Sequence, residues 1–280
     1  MLYVYCPRKS NGAFELVKAL DAQRLRKFDG IDFWDRHRRH KLNDGDVVVC
    51  WGASVPDIEG VRVLNSAGME GVNTVYTDND RLGRNNIPTV AIYPSNYPRH
   101  SSLLYRLYDS HSGSDLLQKV TKPDYQVQKE LLKEEYRIHS FDGRSIRAGI
   151  KVPREGYTAC LEADWRPDAG LVHPWVRTFD AGWTVNYTFQ STPELRNLAH
   201  KSVKALGLTF GAVDIGRRQD GYLKVLSVKR APSIEGGAVT AYVRAVTRWI
   251  AEDKKEDKDD TGGIGNSVPT EIEDEPDPDE

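Results

Sequence analysis

Leu206-Gly207-Leu208-Thr209-Phe210-Gly211-Ala212-Val213-Asp214-Ile215 is an apolar run with one acid set into it. Its length and its Thr, Phe, Val and Ile content predict a buried strand over Thr209–Ile215. A carboxylate in such a strand is costly to bury unless it is paired with a cation or holds a metal, so Asp214 is the first candidate functional residue. A loop ending in Asp220-Gly221 leads to a second strand, Tyr222–Val228, which continues as Lys229-Arg230-Ala231-Pro232. Ser227 and Lys229 are two apart and share one face of that strand.

Upstream lies a helix with both of its ends marked. Thr192 caps it, Pro193 fits its first turn, Leu195, Leu198, Ala199, Ser202, Val203 and Leu206 form one face, and Gly207 closes it. Before that helix, Tyr136–Phe141 alternates, Asp142-Gly143 turns the chain, and Ser145–Val152 alternates again, the pattern of a β-hairpin. Glu135, Arg137 and His139 share one face of the first arm, with Tyr136 and Ile138 directed to the core. Arg147, Gly149 and Lys151 share one face of the second. If the two faces coincide, several cations and a carboxylate line one surface, as polyphosphate binding requires. Cross-strand salt bridging on a solvated sheet is the alternative.

The chain begins differently. Leu2–Cys6, Asp46–Trp51 and Val61–Leu64 read as strands and Phe14–Leu25 as a helix, which suggests a small parallel α/β unit. A last helix is predicted over about 237–251, with Val239, Tyr242, Val243, Val246 and Ile250 inward. The expected fold class is α/β: a parallel N-terminal unit over residues 1–75, an α+β domain with antiparallel hairpins over 76–250, and a disordered acidic tail over 251–280. The tail carries 13 acidic and 3 basic residues, against 28 acidic and 36 basic in the first 250. A basic body suits phosphate ligands, whether nucleotide or nucleic acid, while a solvated surface with a solubilising tail explains the same numbers.

Composition excludes several classes. At 39% hydrophobic and 29% charged, 280 residues make a soluble chain with no apolar run near the roughly 20 residues of a membrane span. The N-terminus is too short and wrongly flanked for a signal peptide. Cys6, Cys50 and Cys160 include no CxxC pair, which argues for a reducing, cytoplasmic setting and against a disulfide or zinc framework. GxGxxG, GxxxxGK[ST] and GxSxG are all missing, so Rossmann, P-loop and serine-hydrolase chemistry are disfavoured. His37 and His40 sit among basic neighbours and read as a surface cluster rather than a metal pair.

The stretch around Asp214 and Ser227–Pro232 resembles the C-terminal signature of the ATP-grasp family: an acid in a Val-Asp-Ile/Leu strand, a turn, then Glu-Val-Asn, a small residue and Pro. Glu135-Tyr136-Arg137-Ile138-His139 with Lys151 resembles the family's middle signature. Gln128–Leu132 resembles its adenine-contacting hinge. Arg106, followed by His111-Ser112-Gly113-Ser114-Asp115, resembles a phosphate-contacting basic residue and the small loop over the phosphates. The likeness covers about residues 45–250 and is nearest to phage-encoded and ribosomal-modification-type members. It implies ATP held between two α+β subdomains, with a carboxylate phosphorylated to an acyl phosphate and then displaced by an amine, and with Mg²⁺ bridging the phosphates. By position, Asp214 is the expected metal ligand. Arg106, Arg137 and Lys151 are expected on the phosphates, and Gly113, Gln128, Leu132, Glu135 and Lys229 complete the nucleotide site. Arg137 and Arg177, the latter in His173-Pro174-Trp175-Val176-Arg177, are the expected catalytic cations.

The departures from the pattern are specific. Ser227 stands where the family has its metal-binding Glu, Lys229 stands where it has Asn, and Asn73-Thr74 stands where it has Asn-Lys. Asp214 with a hydroxyl and an ammonium is a poor Mg²⁺ site, because hard cations take several oxygen ligands. Three readings stay open: a fold relative impaired in catalysis, an active carboxylate–amine ligase, and a nucleotide binder in which Lys229 takes the place of a metal. A non-catalytic scaffold that engages a macromolecular partner is the rival from another class.

Overall fold

In the computed structural model, the described residues are 1–6, 10–25, 42–52, 58–65, 75–94, 96, 98, 103–106, 125–130, 132–166 and 169–259. The chain divides into two units, Met1–Val243 and Arg244–Glu280.

The first unit opens with β1 (Leu2–Tyr5), α1 (Asn11–Ala19), β2 (Gln23–Leu25), β3 (Val47–Cys50) and β4 (Arg62–Leu64). All four strands run parallel in the order β2-β1-β3-β4. Val47, Val48, Val49 and Cys50 are all buried, as a strand covered on both faces requires. The expected helix over Phe14–Leu25 is corrected here. Helix α1 starts at the Ser10 cap and stops at Ala19, Asp21 takes a positive φ of 50°, and Gln23–Leu25 turns into a strand. Gly12, Ala13 and Leu16 form its buried side, while Phe14 is exposed.

Next come α2 (Val75–Arg84), β5 (Ile92–Pro94), β6 (Leu103–Arg106) and β7 (Tyr125–Gln128), the last three making an antiparallel sheet in the order β5-β7-β6. There follow β8 (Leu132–Phe141), β9 (Arg144–Pro153), the short parallel pair β10 (Thr158–Ala159) and β11 (Leu171–Val172), and β12 (Trp183–Asn186). Then come α3 (Pro193–Ala205), β13 (Phe210–Arg218), β14 (Leu223–Lys229) and α4 (Gly237–Asp259).

The main sheet has the order β12-β9-β8-β13-β14, every pair antiparallel. The predicted hairpin is its centre. Asp142 and Gly143 both have positive φ, 45° and 71°, the geometry of a tight turn whose twist matches its strands. One face packs on α3: Tyr136, Ile138, Val213 and Ile215 meet Leu195, Ala199 and Val203 in one buried cluster. Thr192 caps α3 by accepting from the Leu195 N–H, and Gly207 takes a φ of 70° just beyond its end. The second hairpin likewise turns at Gly221, with a φ of 85°. Helix α4 runs past Ala251 to Asp259, so residues 251–259 are helical rather than part of an unstructured tail. Within the helix Arg248 and Glu252 pair one turn apart at 3.7 Å.

The N-terminal sheet is tied to the main one by Asn65. This buried residue has a φ of 66°, and its Oδ1 accepts from the Thr209 and Phe210 N–H groups at 2.9 and 3.2 Å. Beside it, the buried Trp51 ring lies 5.3 Å from both Phe210 and Tyr242.

Candidate functional site: a saturated carboxylate on the open sheet face

The face of the main sheet opposite α3 carries the charged residues that the alternation predicted. Residues directly opposite one another in antiparallel strands share a face. Arg137 lies opposite Gly149 of β9 and, on its other side, opposite Asp214 of β13. Asp214 in turn lies opposite Ser227 of β14, and Lys229 opposite Ala212. The two hairpin faces therefore coincide. Register alone brings Glu135, Arg137, Lys151, Asp214, Ser227 and Lys229 together.

Their contacts are specific. Arg137 donates from Nε to Asp214 Oδ1 at 2.8 Å and from Nη2 to Oδ2 at 3.0 Å, a two-pronged ion pair. Ser227 Oγ donates to the same Oδ2 at 3.3 Å. Lys151 pairs with Glu135, and its Nζ is 3.8 Å from Asp214 Oδ2. Lys229 Nζ is 3.9 Å from that oxygen. Asp214 and Glu135 are buried, at 4% and 5% exposure, so these contacts replace water. Burial by itself would raise the Asp214 pKa. Arg137, Lys151 and Lys229 outweigh it and hold the carboxyl well below the usual range. Burial likewise opposes the charge on Arg137, but Asp214 more than restores it and raises the guanidinium pKa. Among the described residues of the cluster, the cations Arg137, Lys151 and Lys229 surround the carboxylates Asp214 and Glu135.

His139, next along the face, is fully buried. Its Nδ1 is 3.2 Å from the Tyr242 hydroxyl and its Nε2 is 3.2 Å from the Tyr187 hydroxyl. Burial, helped by Arg137 and Arg147, lowers its pKa to about 3, so it is neutral and takes no part in the charge balance near pH 7. Tyr187 borders the cluster. Its phenol is raised by burial against the lowering influence of Arg137. The helix pattern pointed Tyr242 inward without linking it to His139, and no sequence pattern pointed to Tyr187, because each reaches His139 from a distant segment.

Arg177 lies beside the start of β8 and not on Asp214: its Nη2 donates to the Leu132 carbonyl at 2.7 Å and its guanidinium stacks 4.5 Å over Trp183. Burial lowers its pKa, opposed by Glu135. Gln128 ends β7 and Leu132 begins β8, so both border the segment that joins the two sheets. Ion pairs flank it, Lys129 with Glu162 at 2.7 Å and Lys224 with Glu130. Arg106 ends β6 opposite Tyr125. Gly113 and the rest of His111–Asp115, Asn73-Thr74, and His37 and His40 lie outside the described residues.

The donor set does not fit Mg²⁺. Both Asp214 oxygens accept from Arg137, and Oδ2 also meets a hydroxyl and two ammonium groups. Among the described residues no three His, Cys, Asp or Glu side chains cluster as a metal set. Cations so placed around the carboxylate suit a phosphate ligand better than a hard cation.

No known family profile matches the sequence, and no curated protein matches it. Solved structures do match. The ATP-grasp ligase PsnB, complexed with a minimal precursor, is 14% identical with a TM-score of 0.55, over 85% of this chain and 92% of that one. D-alanine–D-alanine ligase from Bacillus anthracis, complexed with ATP, is 12% identical with a TM-score of 0.55, over 90% and 98%. D-cycloserine synthetase DcsG is 14% identical with a TM-score of 0.52, over 89% and 99%. At such identities the likeness is one of fold, and it spans nearly the whole of each neighbour: this chain has the ATP-grasp fold.

Proposed function

We propose that this protein is a ligase-like ATP-grasp chain impaired in Mg²⁺-dependent catalysis, which keeps the sheet face around Arg137 as a metal-independent nucleotide-phosphate site. The observation that carries this is the two-pronged Arg137–Asp214 ion pair with Ser227 opposite. A carboxylate gripped on both oxygens by a guanidinium, with ammonium groups close by, sits among cations that repel a metal ion, and position 227 supplies no second carboxylate. Lys229 and Lys151 act as fixed point charges. They can neutralise phosphate oxygens, but they cannot bridge an attacking and a leaving oxygen as metal ions do. Glu135 holds the Lys151 ammonium in place. Arg137, locked on Asp214, is a positioned cation rather than one free to follow a reacting group.

This reading extends to Gln128, Leu132, Arg106 and Gly113 as the remaining nucleotide-contacting positions, and to Arg177 as a positioning residue at the β8 junction. It goes with a reducing compartment such as the cytoplasm, a setting that suits three cysteines without a CxxC pair. A second reading is a non-catalytic scaffold for a macromolecular partner; the partner, though not the loss of catalysis, draws support from PsnB, solved with a minimal precursor, and the macrocyclase MdnC, solved with a precursor peptide.

Calorimetry of ATP and ADP, with and without Mg²⁺, tests the proposal on the wild type and on Ser227→Glu/Lys229→Asn. The wild type is expected to bind with an affinity that Mg²⁺ leaves unchanged, and the double variant is expected to gain a Mg²⁺ response. Wild-type affinity strengthened tenfold or more by Mg²⁺ would refute the impaired-site reading. Lys229→Ala binding ATP as well as the wild type would remove that lysine from the site.

A further inference from the structure

The segment between β7 and β8 has no ladder of its own. Lys129 and Glu130 lie outside both strands, so side chains rather than a sheet hold them in place. The anchors are specific. Lys129 Nζ donates to Glu162 Oε1 and Oε2 at 2.7 and 2.8 Å, Glu130 accepts from Lys224 Nζ, and the Leu132 carbonyl accepts from Arg177 Nη2 at 2.7 Å. With the Lys129 and Glu130 side chains so engaged, what this segment offers a ligand is its main chain.

Two of these anchors belong to one closed path of contacts. Glu162 Oε2 also accepts from Trp175 Nε1 at 2.8 Å, and the Lys129 ammonium lies 5.8 Å from the Trp175 ring. Trp175 is held in turn by His173, whose Nδ1 accepts from the Trp175 and Val176 N–H groups at 3.2 and 3.1 Å. The His173 carbonyl accepts from Trp183 Nε1 at 3.0 Å, Arg177 stacks 4.5 Å over Trp183, and Arg177 returns to Leu132. The path leaves the junction at Lys129 and re-enters it at Leu132. An exposed ion pair by itself contributes little. Glu162 is 46% exposed, but Lys129 is 12% exposed, and the carboxylate accepts from an indole N–H as well as from the ammonium.

We propose that Glu162 is a positioning residue, which through Lys129 fixes the junction between β7 and β8 and so sets the affinity for the base of a bound nucleotide without touching the nucleotide. The inference rests on the nucleotide reading, in which Gln128 and Leu132 meet the base and the cluster around Arg137 meets the phosphates. The two ends of the ligand then respond separately. The groups that shift Asp214 and Arg137 do not include Glu162, so removing its charge leaves the phosphate end unaltered. At the base end, main-chain donors and acceptors recognise a ligand only while they are held to within about 0.5 Å of their places.

The test is calorimetry of ATP and of inorganic tripolyphosphate, both without Mg²⁺, on the full chain. The variants are Glu162→Gln, which removes the charge, Trp175→Phe, which removes the indole N–H, Lys129→Met, and Lys129→Met/Glu162→Gln. ATP affinity is expected to fall about tenfold in Glu162→Gln, within the usual range for coupled sites, and less in Trp175→Phe. Tripolyphosphate affinity is expected to stay unchanged in both, which also shows that the variants fold. The double variant is expected to bind ATP no more weakly than Lys129→Met, because Glu162 acts through Lys129. The proposal is overturned if Glu162→Gln binds ATP as the wild type does, or if ATP and tripolyphosphate weaken together, as a general loosening would cause. It is also overturned if the losses in Lys129→Met and Glu162→Gln add. A wild type that binds neither ligand overturns the nucleotide reading and this inference with it. A wild type that binds both, with Glu162→Gln unaffected, overturns this inference alone.

Discussion

Asp214→Asn is the sharpest test of whether Asp214 is an internal counter-ion or an available ligand. The substitution keeps the shape of the side chain and one hydrogen-bond acceptor but removes the charge that Arg137 grips at 2.8 and 3.0 Å. Among the described residues, Glu135 is then the carboxylate left to the cluster of Arg137, Lys151 and Lys229. Removing one partner of a buried ion pair costs about 3–5 kcal/mol, since the surviving charge is left without compensation. Retention of an acceptor puts the expectation at about 3 kcal/mol, or roughly 6–10 °C in melting temperature for a chain of this size. The pH dependence has a definite sign. Asp214 is depressed in the folded state, so its contribution is complete above the usual carboxylate value of about 4 and declines as pH falls toward the folded value. Thermal melts of wild type and variant should differ most at pH 7, and the gap should narrow below about pH 4. A variant that melts within 2 °C of the wild type at pH 7, or above it, would show that the carboxylate does not hold the cation cluster together, and the argument against a metal there would fall with it.

Other outcomes follow from the same geometry. His139 is expected to stay neutral down to about pH 3, visible in the ring resonances of a ¹⁵N-histidine sample. Because the unfolded chain takes up that proton near pH 6.5, His139 favours the native state progressively less as pH falls from 6.5 toward 3. A midpoint above 6 would contradict its burial between Tyr187 and Tyr242. Thr192→Ala removes the cap on α3 and should cost about 1 kcal/mol in urea denaturation, with Thr192→Ser recovering most of it. In native protein a thiol reagent should label Cys160 ahead of Cys50, whose thiol burial pushes up to about 12, and peptide mapping by mass spectrometry would show the order.

The main sheet was largely legible because its information is local. Alternation in 136–152, the Asp142-Gly143 turn and the Thr192–Gly207 helix signals each lie within one element. What the sequence hid is nonlocal. Gln23–Leu25 forms a strand only because β1 is beside it, so periodicity continued a helix that Asp21 ends. The acidic run after Ala251 has the composition of a solvated tail, and those residue types are equally at ease in an exposed helix. Sequence spacing showed that Arg137 and Asp214 each lay on a strand face. The register that sets them opposite one another, so that Arg137 donates to Asp214 from two nitrogens, depends on pairing across 77 positions.

Asn65 gives the site a reference point. Its amide oxygen holds the first residues of β13, 144 positions later in the chain, and Asp214 sits four residues beyond Phe210 on that strand. The placement of the charged cluster is thus surveyed from a benchmark at the end of the N-terminal sheet, and the closure that sets it is among the longest the chain makes. Such closures are slow to form. A chain cut short of Asn65 at its front would keep every charged residue of the cluster and lose the datum from which their positions are measured.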